Sequence, residues 1–158
     1  MSNFHATAAG NVPFTAEEEA AWAAEQAATL AAKPGKDKGA KWEAIKIHRD
    51  KLSDTGGYKV VVGGVDKWFH SDAKSKVQQI GLVLMGAAAA NVPPWKTMDG
   101  TFVAMSPTLA GQIFTAASTM DGALFAAAET HRAAMEASAD PAAYDFSGGW
   151  PAVFGVTI

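Results

Sequence analysis

The sequence contains no cysteine among its 158 residues. This absence excludes disulfide bonds, thiolate nucleophiles and cysteine-ligated zinc or iron–sulfur centres. Charged residues make up only 18% of the chain, which excludes a charge-rich disordered protein. No apolar run approaches the roughly 18 residues that a membrane-spanning helix needs, and no basic segment before an apolar stretch marks a signal peptide. These absences predict a soluble protein, made inside the cell, that does not bind a membrane.

What the chain does contain is enough apolar surface for one core. Hydrophobic residues make up 49% of the sequence, but alanine supplies roughly a fifth of all residues, and its side chain buries little area. The packing energy must therefore come mostly from eight Phe, five Trp and the larger aliphatic residues. A chain of this length predicts a single main domain.

The first 39 residues predict an N-terminal arm, an alanine-rich helix and a linker. Residues 1–13 are small and polar, and they predict an extended arm. Thr15 is a predicted N-cap because Glu18 lies three residues later, as in a capping box. The helix is predicted to end before Pro34-Gly35, and residues 36–39 have the composition of a linker.

Residues 40–151 predict an α+β domain, which an apolar C-terminal tail of residues 152–158 follows. A charged helix precedes two β-rich runs around Gly63-Gly64, which predict a hairpin. A helix from Ser71 or Asp72 leads to a second hairpin around Asp99-Gly100, and Ser106-Pro107 begins a long helix that Asp121-Gly122 could interrupt. The expected fold is two short β-hairpins in one small antiparallel sheet, covered by helices.

Helical and strand periodicity selects the residues expected to form the core of this domain. These are Trp42, Ile45, Val60, Val62, Trp68, Val77, Ile80, Leu84, Trp95, Phe102, Val103, Leu109, Ile113, Leu124 and Trp150.

The basic residues are concentrated in the middle of the chain. Eleven of the thirteen Lys and Arg residues lie between Lys33 and Lys76 with six acidic residues, which gives this region a net charge of +5. Such a region could bind nucleic acid, but only two arginines are present, and a solvated helix face with a Lys-rich linker is the more usual origin of such a run of charge. We therefore expect no nucleic-acid partner.

The motifs of known catalytic sites are incomplete in this sequence. The four histidines lack metal-ligand spacing, and His131 falls on the apolar stripe of the long helix, where a hydrogen-bonded core histidine is expected. No phosphate-binding loop or nucleophile elbow is present. We expect no catalytic residue, no cofactor and no metal.

One enzymatic alternative stays open, namely a small hydrolase or lyase that acts on envelope sugars. It would need two carboxylates in one cleft. The candidates lie around the first predicted hairpin: Asp50, Asp54, Asp66 and Asp72.

The order of several motifs resembles a domain-of-unknown-function family that occurs in tail-fibre assembly and tail proteins of tailed bacteriophages and prophages. The matching segments begin with Ile45–Asp50, continue with Trp68–Asp72, Ser75–Ile80 and Trp95–Val103, and end with Gly148-Gly149-Trp150-Pro151. The resemblance covers about 110 residues and brings no established catalytic residues. It implies a non-enzymatic protein of the virion tail, present in the host cytoplasm during assembly.

The resemblance implies contact with a tail fibre or with another tail or baseplate protein, either as a permanent virion subunit or as an assembly chaperone. The expected partner-binding residues are Phe4, Phe14, Trp22, Val153, Phe154, Val156 and Ile158. The β-prone tail could add to a partner's sheet or fold back on its own hairpins, and the arm could be mobile in the free protein. Association of several copies also stays open.

Overall fold

The computed structural model describes residues 3–7 and 10–155, and their fold is α+β as the sequence predicts. Within this part of the chain, three helices accompany three two-stranded antiparallel sheets. The elements in order are β1 (Phe4–Thr7), β2 (Gly10–Pro13), α1 (Ala16–Thr55), β3 (Tyr58–Val62), β4 (Val65–Phe69), α2 (Ala73–Met85), a 3-10 helix (Gly86–Asn91), β5 (Trp95–Lys96), β6 (Phe102–Val103) and α3 (Pro107–Ala137).

Helix α1 is one continuous helix of 40 residues, so the predicted end before Pro34-Gly35 and the predicted linker at residues 36–39 are wrong. Its N-terminus is the predicted capping box, in which the Glu18 amide donates to Thr15 Oγ1 and the Thr15 amide donates to the Glu18 carboxylate. Pro34 removes the amide that would bond the Leu30 carbonyl. Both residues are exposed, so that carbonyl can bond water, and the helix continues.

The predicted extended arm is a β-hairpin in the described residues, with Phe4 opposite Pro13. This hairpin is fastened to the first turn of α1. The backbone amide of Asn3 donates to Glu19 Oε1 at 2.8 Å, and the His5 ring nitrogen Nε2 lies 2.9 Å from Glu18 Oε1. Carboxylates placed at the positive end of a helix can accept such donors from the chain that precedes it.

The hairpins β3–β4 and β5–β6 lie where the sequence predicts them, but they form two separate sheets and not the single sheet expected. One backbone hydrogen bond joins them, from the Met98 amide to the Trp68 carbonyl at 2.9 Å. Strands β5 and β6 have only two residues each, and the Asp99 side chain holds their turn by accepting from Thr97 and Thr101.

Helix α3 begins at the predicted cap, where Ser106 Oγ accepts from the Leu109 amide. It runs without a break through Asp121-Gly122, so the predicted interruption is absent. A glycine inside a helix costs only about 1 kcal/mol, and the buried side chains on both sides of Gly122 outweigh that cost.

The core has two clusters. The larger lies between β3, β4, α2, the 3-10 helix and α3, around Tyr58, Phe69 and Ile113. The smaller joins α1 to the end of α3 around Ile45 and Met135. The residues predicted to be core and found buried are Ile45, Val60, Val103, Leu109, Ile113 and Leu124, whereas Trp42, Val62, Trp68, Trp95 and Trp150 are half-buried.

Four of the predicted core residues are exposed, namely Val77, Ile80, Leu84 and Phe102. Helix α2 instead turns Gln79 and Leu82 inward. The Gln79 side chain donates to the His70 carbonyl at 2.8 Å, which fixes this rotation of the helix. An amide that bonds a backbone carbonyl can be buried at little cost, so the apolar stripe of α2 is left facing water.

Candidate protein-interaction site

The N-terminal half of α1 projects from the rest of the protein. We call residues 16–35 the projecting helix, and every side chain from Ala20 to Gly35 in it is exposed. At 1.5 Å per residue, these 20 residues extend over about 30 Å. A helix in water gains little from propensity alone, and most helices in proteins are stabilised by packing one face. The projecting helix has no such packing within the described chain.

The projecting helix has two different faces. Ala20, Ala24, Ala27 and Ala31 follow a 4-3-4 spacing, which places them on one side at 100° per residue. Trp22 lies on the opposite side, with 43% of its surface exposed. One side of the helix is therefore smooth and apolar, and the other presents a single large aromatic ring among polar residues.

The hairpin at the start of the projecting helix presents a second aromatic side chain. Phe4 is 53% exposed on β1. Phe14 is half-buried, because its ring packs on His5 with the ring centroids 4.4 Å apart. Phe4 and Trp22 are thus exposed at the same end of the molecule, whereas the Phe14 ring is partly covered by its own hairpin.

The described part of the C-terminal tail lies against this chain's own residues. The Phe154 amide donates to the Gly56 carbonyl at 2.9 Å, and the Phe154 ring lies 6.2 Å from the Trp68 ring. Val153 approaches Gly56 so closely that an added Cβ there would lie 2.6 Å from Val153 Cγ1. The other two predicted tail contacts, Val156 and Ile158, lie outside the described residues.

The segment before the tail carries a cluster of aromatic and imidazole rings. The Trp150 ring lies between His48 and His131, 4.9 Å from each ring centroid, and its Nε1 donates to the Phe146 carbonyl at 2.7 Å. His131 is buried and its Nδ1 lies 2.9 Å from Tyr144 Oη, which confirms the predicted hydrogen-bonded core histidine. A cavity of about 240 Å³ opens beside His48 and Trp150 and could hold an apolar side chain.

The environment of His48 makes the stability of this cluster depend on pH. Burial, the Lys51 ammonium group and the His131 ring lower the pKa of His48. As the pH falls, His48 takes up a proton near pH 6.5 in the unfolded chain but only at a lower pH in the folded chain. The free energy of unfolding therefore falls as the pH drops below 6.5.

We expect the free energy of unfolding, measured in urea, to be lower at pH 5.5 than at pH 7.5. The variant His48→Phe keeps a ring against Trp150 but cannot bind a proton, so its pH dependence over this range should be weaker. An equal dependence in both proteins would contradict the role assigned to His48.

The four carboxylates considered for sugar hydrolysis have separate local surroundings. Asp50 is paired with Arg49, and Asp66 with Lys59. Asp72 caps α2, and hydrogen bonds from the Ser75 side chain and amide lower its pKa. Asp54 is exposed at the end of α1. No observation on these residues favours a paired-carboxylate site.

Sequence reasoning missed a polar junction between the three helices. Ser53 Oγ lies 2.9 Å from both Lys76 Nζ and Asp121 Oδ1, and Lys76 Nζ lies 3.3 Å from Asp121 Oδ1. A serine beside a lysine can be a nucleophile and its base only when the lysine is neutral. Here a carboxylate pairs with the same ammonium group, which is the arrangement of a structural ion pair. Ser53, Lys76 and Asp121 are far apart in the sequence, so no local sequence pattern predicts that their side chains meet.

Many basic residues of the middle region form ion pairs with acidic residues of this chain. In addition to its ion pair, Arg49 lies over the Phe125 ring, with its guanidinium carbon 4.3 Å from the ring centroid. The ion pairs are Lys33–Asp37, Lys46–Glu43, Arg49–Asp50, Lys59–Asp66, Lys67–Asp99 and Lys76–Asp121. Pairing of this kind reduces the positive field that phosphate groups would encounter.

Within residues 3–7 and 10–155, no helix combines the length and the hydropathy that crossing a membrane requires. The same residues contain no cluster of three or more His, Asp or Glu side chains suited to hold a metal ion.

The family described as Domain of unknown function (DUF4376) matches residues 36–148 of this chain. The match begins directly after Pro34-Gly35, and it covers every buried residue of both core clusters but not Trp150, which packs on the smaller one. No curated protein and no solved structure matches the chain. The resemblance to a family of unknown function, predicted over about 110 residues, is confirmed by this match.

Proposed function

The chain belongs to the DUF4376 family, and we propose that it is a non-enzymatic tail protein of a tailed bacteriophage. In this proposal it binds the tail fibre or a neighbouring tail or baseplate component. It acts either as a permanent subunit of the virion tail or as a fibre-assembly chaperone in the host cytoplasm. The motifs from Trp68–Asp72 to Gly148–Pro151 that resemble phage tail proteins support this setting.

The projecting helix is the observation that carries the interaction part of the proposal. Its 20 residues contact neither core cluster, although one side is alanine and Leu30 is 68% exposed. Contiguous apolar surface in water is typical of a protein-binding surface. A partner that covers this helix would supply the packing that the described chain does not.

Phe4 and Trp22 are the expected anchors of the contact. Both rings are exposed, and the hairpin that carries Phe4 is held to the same end of α1 by the Asn3–Glu19 and His5–Glu18 contacts. Aromatic side chains, tryptophan above all, supply a large share of binding energy at protein interfaces. Val153 and Phe154 are secondary candidates, because both already contact this chain.

The proposal predicts that this chain co-purifies with the tail-fibre protein encoded nearest to it when the two are co-expressed. The double variant Phe4→Ala/Trp22→Ala should reduce the retained fibre protein at least about tenfold, since two anchors are each expected to contribute more than about 1 kcal/mol. Densitometry of the purified complex measures the ratio of the two chains.

A matched control is Phe102→Ala, because Phe102 is exposed on β6 and lies outside the projecting helix and its hairpin. It should leave the ratio unchanged. Equal losses for both variants would place the contact elsewhere, and failure of the unmodified chain to retain any tail protein would contradict the proposed function. Mass spectrometry of purified virions then separates a permanent subunit, which is present, from a chaperone, which is absent.

A further inference from the structure

Helix α2 presents an apolar seam to water. Ala73, Val77, Ile80 and Leu84 follow a 4-3-4 spacing, which is the pattern of a helix that packs against one other helix. Val77 is 69% exposed and Leu84 is 81% exposed. We call these four residues the α2 seam. Phe114 on α3 extends it, because Phe114 and Ile80 are both exposed and border the same small cavity.

The alanine side of the projecting helix has the matching geometry. Ala20, Ala24, Ala27 and Ala31 repeat at the same 4-3-4 spacing as the α2 seam. Small residues on one helix let the other approach closely, and the large side chains of the second helix then fill the spaces between them. The α2 seam supplies the large side chains, and the projecting helix supplies the small ones.

Charge favours pairing between these two helices over pairing of either with itself. The projecting helix contains four glutamates and Lys33, whereas residues 73–91 contain Lys74 and Lys76 and no acidic residue, with Lys76 paired to Asp121 on α3. Two projecting helices side by side would bring two net negative charges of -3 together, and two α2 helices would bring two copies of Lys74 together. A projecting helix against an α2 seam brings opposite charges together.

The two surfaces cannot meet within one copy of this structure, because α1 is a single helix that leads the projecting helix away from the core. We infer that the α2 seam of one copy binds the alanine side of the projecting helix of a second copy. Each copy has one surface of each kind to offer, so two copies can exchange both contacts in one symmetric dimer. Trp22, an anchor of the proposed tail-protein contact, lies on the other side of the helix, so substitutions on the alanine side test this inference while that anchor stays in place.

The area involved is consistent with association of this kind. The exposed surface of Val77, Ile80, Leu84 and Phe114 amounts to on the order of 400 Å² of apolar area. One such contact buries about half of the roughly 800 Å² per partner that is usual for a stable interface. Two copies that exchange both contacts bury one α2 seam and one alanine side from each copy in a single interface, which brings the area per partner to about the usual size.

The test uses the full chain and two charge-introducing variants. Ala24→Glu/Ala27→Glu alters only the projecting helix, and Ile80→Glu/Leu84→Glu alters only the α2 seam. Sedimentation velocity and light scattering should show the unmodified chain with a mass of at least two copies, whereas each variant alone should be monomeric. Because each variant keeps the surface that the other has lost, a mixture of the two should form a 1:1 complex.

Thr29→Glu is the matched control, since Thr29 is exposed on the opposite side of the same helix. It should associate as the unmodified chain does. All substituted positions are exposed, and circular dichroism should show unchanged helix content. A monomeric unmodified chain would overturn the inference. Variants that associate as the unmodified chain does would also overturn it. A mixture of the two variants that forms no complex would overturn it as well, because that result would indicate that like helices pair with each other.

Discussion

Replacing Gly57 by alanine is expected to lower the free energy of unfolding by about 2–5 kcal/mol, since it combines two costs. Gly57 has φ +73°, in the left-handed region that an L side chain adopts only with strain. An added Cβ would also overlap Met98 Sδ and lie 3.0 Å from the Phe69 carbonyl oxygen. The Met98 side chain can move aside, but the Phe69 carbonyl belongs to the backbone of β4, so the chain around Gly57 must adjust by a few tenths of an ångström.

Gly64→Ala separates the two costs. Gly64 has φ +81° in the turn between β3 and β4, but nothing lies within 4 Å of an added Cβ there. This variant should lose only the backbone share, about 1–2 kcal/mol. Urea denaturation of the two variants measures the difference, which is the packing cost at Gly57. Equal losses would mean that the close approach of Met98 and Phe69 to Gly57 is not a real constraint.

Removing the ring of Trp150 is the second large effect that we expect. Trp150 is half-buried against the cluster of Ile45, Ala128 and Met135 and lies between two imidazole rings. Trp150→Ala also removes the hydrogen bond that Nε1 donates to Phe146. A fully buried tryptophan costs roughly 3–5 kcal/mol to truncate, and we expect about 2–4 kcal/mol for this half-buried one.

Trp22→Ala provides the comparison, because it makes the same chemical change on the exposed projecting helix. It should change the free energy of unfolding by no more than about 0.5 kcal/mol, as is usual for surface positions. Thermal unfolding followed by circular dichroism would measure both variants. If Trp150→Ala left the midpoint unchanged, the ring cluster would not hold the C-terminal segment to the rest of the protein.

Local chemistry in the sequence was enough to place several elements. The capping box at Thr15, the caps at Asp72 and Ser106-Pro107, and the turns at Gly63-Gly64 and Asp99-Gly100 all lie where the sequence predicts them. Each is decided by residues within a few positions of one another. Such features need no knowledge of distant contacts.

The predictions that failed depend on distant residues or on solvent. Pro34-Gly35 is a strong stop signal for a helix, yet α1 continues through it, where the backbone remains in water. The periodicity of α2 identifies its apolar stripe correctly, but it cannot tell that the stripe faces outwards. That orientation follows from the bond between Gln79 and the His70 carbonyl and from the burial of Leu82.

The candidate site was predictable only in part. The sequence predicts an alanine-rich first helix, and the structure places the projecting helix, residues 16–35, away from both core clusters. The position of Phe14 against His5 depends on a hairpin that the sequence did not indicate. The Ser53–Lys76–Asp121 junction joins three helices and had no sequence signal.

The position of Pro34-Gly35 within α1 has a consequence for how this protein can diversify. The family match begins at residue 36, and the first side chain that packs on a core cluster is Trp42. No described residue of the projecting helix belongs to either cluster, so substitutions within residues 16–35 are expected to leave the packing of both clusters intact. The Trp22 side of the projecting helix can therefore change its partner without a change in the packing of the domain, whereas the alanine side can change only together with the α2 seam that it is inferred to bind.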